Sequence, residues 1–99
     1  MVHGGSVYIM TNKLRTVLYV GVTSDLRNRV IEHREHYYQQ SFTAKYNCTL
    51  CVYYEHFGRI EEAIAREKEI KGWIRIRKNE LISVMNPDWN DLWLEIEKW

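Results

Sequence analysis

Apolar positions along this chain fall first into two short runs and then change period. Gly5 to Met10 is β-branched and aromatic, and Thr16 to Gly21 repeats that character after the polar Thr11-Asn12-Lys13. The two runs predict strands joined as a hairpin. Thr23-Ser24-Asp25 then offers side chains that accept the unpaired amide hydrogens of a first helical turn. Leu26, Val30, His33 and Tyr37 recur at helical spacing, which predicts a helix from Leu26 to near Tyr38, with Gln39 to Tyr46 as a loop. Thr49 to Glu55 reads as a third strand, and Gly58 breaks the chain. Ile60 to Lys71 is predicted helical, with Ala63, Ile64, Glu67, Ile70 and Ile74 on or near one stripe. Gly72 ends or bends it, and Trp73 to Val84 reads as helix again. Asn86-Pro87 predicts a stop and restart, with Trp89, Leu92, Trp93 and Ile96 as the stripe of a short final helix. The expected fold is α/β: one small domain over residues 1–99, with a three-stranded antiparallel sheet flanked by helices in the order β-β-α-β-α-α.

Composition narrows this picture only a little. Apolar residues make up 45% of the 99 positions, with four Trp and seven Tyr, enough for one modest core. The apolar runs are strand-sized, so no membrane span is expected. Met1-Val2-His3-Gly4-Gly5 lacks a cationic region followed by an apolar one, so a cytoplasmic location is the expectation. The net charge of +1 does not announce nucleic acid. Basic residues do cluster at Arg27, Arg29 and Arg34, and again at Lys71, Arg75, Arg77 and Lys78. Such clusters also suit solvated helix faces.

Several residues have chemistry that goes beyond packing. Arg29 and His33, four apart on the first predicted helix, share a face; alone, a solvated surface accounts for them better, and their place after the Tyr-x-Gly strand and an N-cap shifts that balance. A guanidinium matches a phosphate through two parallel hydrogen bonds. Glu67 sits among Ala63, Ile64 and Ile70 at the edge of an apolar stripe, where a carboxylate must be paired or hold a metal. An ion pair with Lys71 one turn on is the competing account, and Glu69 is a second candidate ligand. Tyr8 and Tyr19 lie on adjacent predicted strands, where tyrosine also packs well for its own sake. Gly21 directly after the second can admit close approach of backbone or substrate. Phosphodiester hydrolysis needs an activated water, charge neutralisation at phosphorus and help for the leaving oxygen; this set of residues supplies those parts.

Ser6-Val7-Tyr8, Tyr19-Val20-Gly21 and Leu26-Arg27-Asn28-Arg29-Val30-Ile31-Glu32-His33, in that order, resemble the GIY-YIG nuclease domain. The resemblance covers nearly the whole chain. Ser41 to Asn47, Ala65 to Trp73 and Asn86 to Leu92 are similar to small stand-alone bacterial members. The first triplet is Ser-Val-Tyr rather than Gly-Ile-Tyr, which removes no catalytic side chain. The resemblance implies a metal-dependent endonuclease acting on DNA, with branched or damaged DNA and a role in repair or recombination as expectations, and a protein partner for targeting. It implies that Tyr8 and Tyr19 lie close together, that Arg29 contacts the scissile phosphate, and that His33 lines the site. It implies that Glu67 holds one Mg2+ or Mn2+, and that a tyrosine activates or positions the water. Arg29, not Arg27, matches the family's Leu-x-x-Arg-x-x-x-His pattern.

Two alternatives stay open in the sequence. Cys48 and Cys51, with His33 and His36, spell a four-ligand zinc set, against which stands a pair of buried free thiols at a strand. The chain also suits a catalytically inactive nucleic-acid-binding or protein-adaptor module of the same fold.

Overall fold

A computed structural model describes residues 4–99, so the reading of Met1 to His3 lies outside the described residues. Eight elements follow in order: β1 (Gly5–Thr11), β2 (Leu18–Thr23), α1 (Leu26–Arg34), α2 (Phe42–Lys45), β3 (Leu50–Phe57), α3 (Ile60–Lys71), α4 (Arg75–Met85) and α5 (Trp93–Ile96). The strands form one antiparallel sheet in the order β2-β1-β3, with β1 central. A bulge between Ile9 and Met10 breaks the β1–β3 register. The expected three-stranded α/β architecture is the one observed.

Alternation along β1 divides the core in two. Val7 and Ile9 join Val20, Val52, Ala63, Ile70 and Ile82, so α3 and α4 cover one face of the sheet. Tyr8 and Met10 join Leu26, Val30, Cys48, Cys51 and Ile96, so α1 and α5 cover the other. Because both faces are covered, all seven residues of β1 are buried. Ala63 and Ile70 carry the buried stripe of α3, whereas Ile64 and Ile74 point outward and leave the predicted stripe.

Three local expectations are corrected. First, α1 stops at Arg34 rather than near Tyr38. His36 adopts a left-handed conformation (φ 50°), His36 N–H donates to the His33 carbonyl, and Tyr37 N–H reaches back to the Glu32 carbonyl. That pairing closes a helix C-terminus, here with histidine where glycine is usual. Second, the predicted loop holds α2. Ser41 caps it by accepting from Ala44 N–H, and Asn47 (φ 55°) ends it with Cys48 N–H on the Thr43 carbonyl. Third, Asn86-Pro87 starts no helix. Buried Asn86 donates to the Val52 and Asn90 carbonyls and accepts from Asn90 N–H, which pins a loop to β3 and delays α5 to Trp93. No helix among the described residues is long and apolar enough to cross a membrane.

Candidate active site

Register brings the first parts together. Tyr8 on β1 lies opposite Gly21 on β2, and Met10 lies opposite Tyr19. All four therefore face the α1 side of the sheet. The Tyr8 ring crosses its partner position: a Cβ built on Gly21 would sit 2.4 Å from Tyr8 Oη and Cζ. No described glycine has a positive φ, so Gly21 is required by space, not by backbone conformation.

Asp25, rather than Thr23 or Ser24, caps α1 by accepting from Asn28 N–H. The helix then presents Arg29 and His33 to Tyr8. Tyr8 Oη lies 2.8 Å from His33 Nε2, and Arg29 Nε donates to Tyr8 Oη at 3.4 Å. Arg29 also pairs with Glu32 at 3.2 Å, and its guanidinium lies over the Tyr38 ring. On its far side His33 Nδ1 lies 2.9 Å from Thr43 Oγ1. Tyr19 packs within 5.5 Å of the His33 ring and 6.2 Å of the Tyr8 ring, centroid to centroid.

Burial tunes these groups unequally. Tyr8 is fully buried, and desolvation drives its pKa well above the usual range although Arg29 opposes the shift. His33 is pushed down to about 4, first by burial and then by the Arg29 charge, so its ring is neutral near pH 7. The hydrogen bond to Tyr8 is the main cause that raises the pKa of Arg29, which stays a cation. Tyr19 is only half-buried. Of the two tyrosines, it is the one that fronts solvent.

Four of the five predicted residues, Tyr8, Tyr19, Arg29 and His33, form one contact set. Glu67, on α3, makes no hydrogen bond or ion pair to any of these four. Its side chain is only 12% exposed, and its ion pair among the described residues is with Lys71 at 3.1 Å. Glu69, the second candidate, is more exposed and pairs with Arg66. The zinc set does not form: Cys48 and Cys51 are buried free thiols, and no group of three or more His, Cys, Asp and Glu gathers among the described residues. The hydrogen bonds of His33 explain why, since Tyr8 and Thr43 occupy both ring nitrogens.

Sequence reasoning missed Thr43 and Glu32. For Thr43 a signal existed: Ser41, three residues before Ala44, has the spacing of an N-cap and puts Thr43 in a first helical turn. Phe42 and Tyr46, both partly exposed, extend a ring-to-ring contact outward from Tyr19, and Lys45 lies over the Tyr46 ring.

A family model described as the GIY-YIG catalytic domain matches residues 4–80. The chain belongs to the GIY-YIG family. The matched span takes in every member of the contact set and Glu67. Among solved structures, the chain is similar to the solution NMR structure of a UPF0213 protein from Bacillus halodurans. The two are 26% identical, with 89% of this chain and 92% of that one covered and a TM-score of 0.57. A search of curated proteins finds no match. Membership makes this chain part of a nuclease family, and GIY-YIG nucleases generally use divalent metal ions.

Proposed function

We propose that this GIY-YIG chain is a metal-dependent endonuclease that hydrolyses phosphodiester bonds in DNA. The observation that carries the reading is the convergence of Arg29, Tyr8, His33 and Tyr19 on one face of the sheet, beside exposed rings and a lysine. Tyr8 and Glu32 hold the Arg29 guanidinium, and its remaining N–H groups suit a scissile phosphate and the charge that develops on it. Tyr19, with a half-buried ring beside His33, is the tyrosine that orients the attacking water. Tyr8 acts one step back, because its hydroxyl is enclosed between His33 and Arg29. Tyr38, Phe42 and Tyr46 offer rings on which bases stack, and Lys45 adds positive charge there.

Glu67 is the residue that would hold the cation. A single, mostly buried carboxylate oxygen donor suits Mg2+ or Mn2+, which keep several waters and share their shell with substrate phosphates. Bound there, the cation would neutralise charge on the phosphoryl group. The biological setting we propose is cytoplasmic DNA repair or recombination on branched or damaged DNA, with a separate protein supplying the targeting.

One observation favours a second reading, a non-cleaving nucleic-acid-binding module: Glu67 already has a cationic partner in Lys71. A cleavage assay over single-stranded, duplex, branched and damaged DNA with Mg2+ or Mn2+ separates the two. Glu67→Gln is expected to abolish cleavage while leaving the fold and DNA binding intact. Unchanged turnover in that variant removes Glu67 from the site, and loss in Glu69→Gln instead moves the ligand by two residues. Binding without cleavage by the wild-type chain on every substrate favours the second reading.

A further inference from the structure

The hydroxyls behind His33 form a chain whose direction follows from counting donors. Arg29 Nε can only donate, so Tyr8 Oη accepts from it. The Tyr8 O–H then needs an acceptor, and His33 Nε2 at 2.8 Å provides it. Nε2 therefore carries no proton. In a neutral imidazole the proton then sits on Nδ1, which donates to Thr43 Oγ1 at 2.9 Å. Thr43 donates its own proton to Ser41 Oγ at 3.1 Å, and Ser41 Oγ also accepts from Ala44 N–H. Every link runs one way, from Arg29 through Tyr8 and His33 to the cap of α2. Tyr8, His33 and Thr43 are all buried, so water cannot substitute freely for a lost partner.

We propose that Thr43 is a positioning residue: by accepting from His33 Nδ1 it locks the imidazole with its Nε2 lone pair on Tyr8, which in turn presents a lone pair to Arg29. The distant hydroxyl thus sets the guanidinium. Without it, a buried Nδ1–H has no acceptor, and the ring turns or shifts to find one. Tyr8 then loses the acceptor that fixes its own proton, and Arg29 loses its fixed oxygen. The structural part of this proposal is independent of turnover; only its consequence for rate rests on the nuclease reading.

Thr43→Val keeps the β-branched shape and removes the hydroxyl, and Thr43→Ser restores the oxygen without the methyl. The test uses 15N NMR of the full chain without metal or DNA, following the two ring nitrogens of His33 and the Nε–H of Arg29. In the wild type the His33 proton is expected on Nδ1, with a protected Arg29 Nε–H. Thr43→Val should lose the Nδ1–H signal to exchange and shift Arg29 Nε–H, and Thr43→Ser should restore both. A wild-type proton on Nε2 overturns the proposal, as does an Arg29 signal unmoved in Thr43→Val. In the cleavage assay, Thr43→Val should lower kcat by about tenfold or more with KM little changed, and Thr43→Ser should recover most of it. Full kcat in Thr43→Val also overturns it. Should the wild-type chain cleave no DNA, the nuclease reading fails while the NMR arm still decides the role of Thr43.

Discussion

Gly21→Ala adds one methyl group at the point where β2 passes over Tyr8. Alanine accepts the strand backbone here, and replacing glycine by alanine normally stabilises a chain by about 0.4–1 kcal/mol through the unfolded state. In this chain the added Cβ would sit 2.4 Å from Tyr8 Oη and Cζ and 2.8 Å from Cε1. The ring cannot retreat cheaply. It is fully buried, and its hydroxyl is tied to His33 and Arg29. Overpacking of this kind costs about 1–3 kcal/mol. Breaking the Tyr8–His33 hydrogen bond inside the core adds about 1–3 kcal/mol more. The expected net loss is about 3 kcal/mol, read as a lowered midpoint in guanidinium denaturation with an unchanged slope. A double-mutant cycle with Tyr8→Ala isolates the cause: in that background the methyl has room, and Gly21→Ala should be nearly neutral. A Gly21→Ala chain within about 0.5 kcal/mol of wild type refutes the steric account. An equal loss in both backgrounds does so too, since the methyl would then be meeting something other than Tyr8.

Three further expectations follow from the same contacts. Arg29→Lys keeps charge but loses the planar fork and the bond to Tyr8, so cleavage should fall strongly, while Arg27→Lys, whose Nε donates to the Glu97 carbonyl, should cleave nearly normally; equal effects in parallel kinetics would leave only general basicity. Tyr8→Phe leaves His33 and Arg29 without a buried partner and should lower stability by about 1–3 kcal/mol, whereas Tyr19→Phe should lose activity with little change in Tm; the reverse pattern in thermal melts exchanges their roles. The folded state holds His33 near pKa 4 against 6.5 unfolded, so between those values the unfolded chain binds more protons. The His33 contribution should be flat above pH 6.5 and fall by about 3 kcal/mol as pH drops toward 4, and His33→Gln should remove that part of the slope in denaturation measured across pH.

The elements that periodicity could reveal were legible, and those set by local backbone geometry were not. The strands and long helices followed from β-branched runs and from Leu26, Val30, Ala63 and Ile70 at helical spacing, because both faces of the sheet had to be covered. The stop at Arg34 was hidden because His36 takes a left-handed conformation without glycine to mark it. Asn86 resembled a helix start because its donors and acceptor serve equally well to pin a loop, and only tertiary position decides between the two. In the site, residue order and strand register together brought Tyr8, Tyr19, Arg29 and His33 into contact. Glu67 shows the limit of that reasoning. Its half-buried position and its Lys71 pair were both foreseen, yet no spacing rule says how a carboxylate on α3 relates to groups on β1, β2 and α1, which are distant in sequence. Thr43 escaped because it reaches His33 from a four-residue helix, too short for any periodic signal.

The central place of β1 has a consequence for how the chain folds. The partners along one of its edges lie close in sequence, since Ser6 to Thr11 pair with Leu18 to Thr23, but those along the other arrive only with Leu50 to Phe57. During synthesis the hairpin, α1 and α2 can form early, so Tyr8 can meet Arg29, His33 and Thr43 before half the chain exists. Through that interval the second edge of a largely apolar strand stays unpaired, a template for pairing with another chain. The slow step should therefore be docking of β3 onto β1, a closure across some forty residues whose cost falls before its contacts form. Substitutions that weaken β3 pairing should then slow folding and raise aggregation more than equal losses within the hairpin.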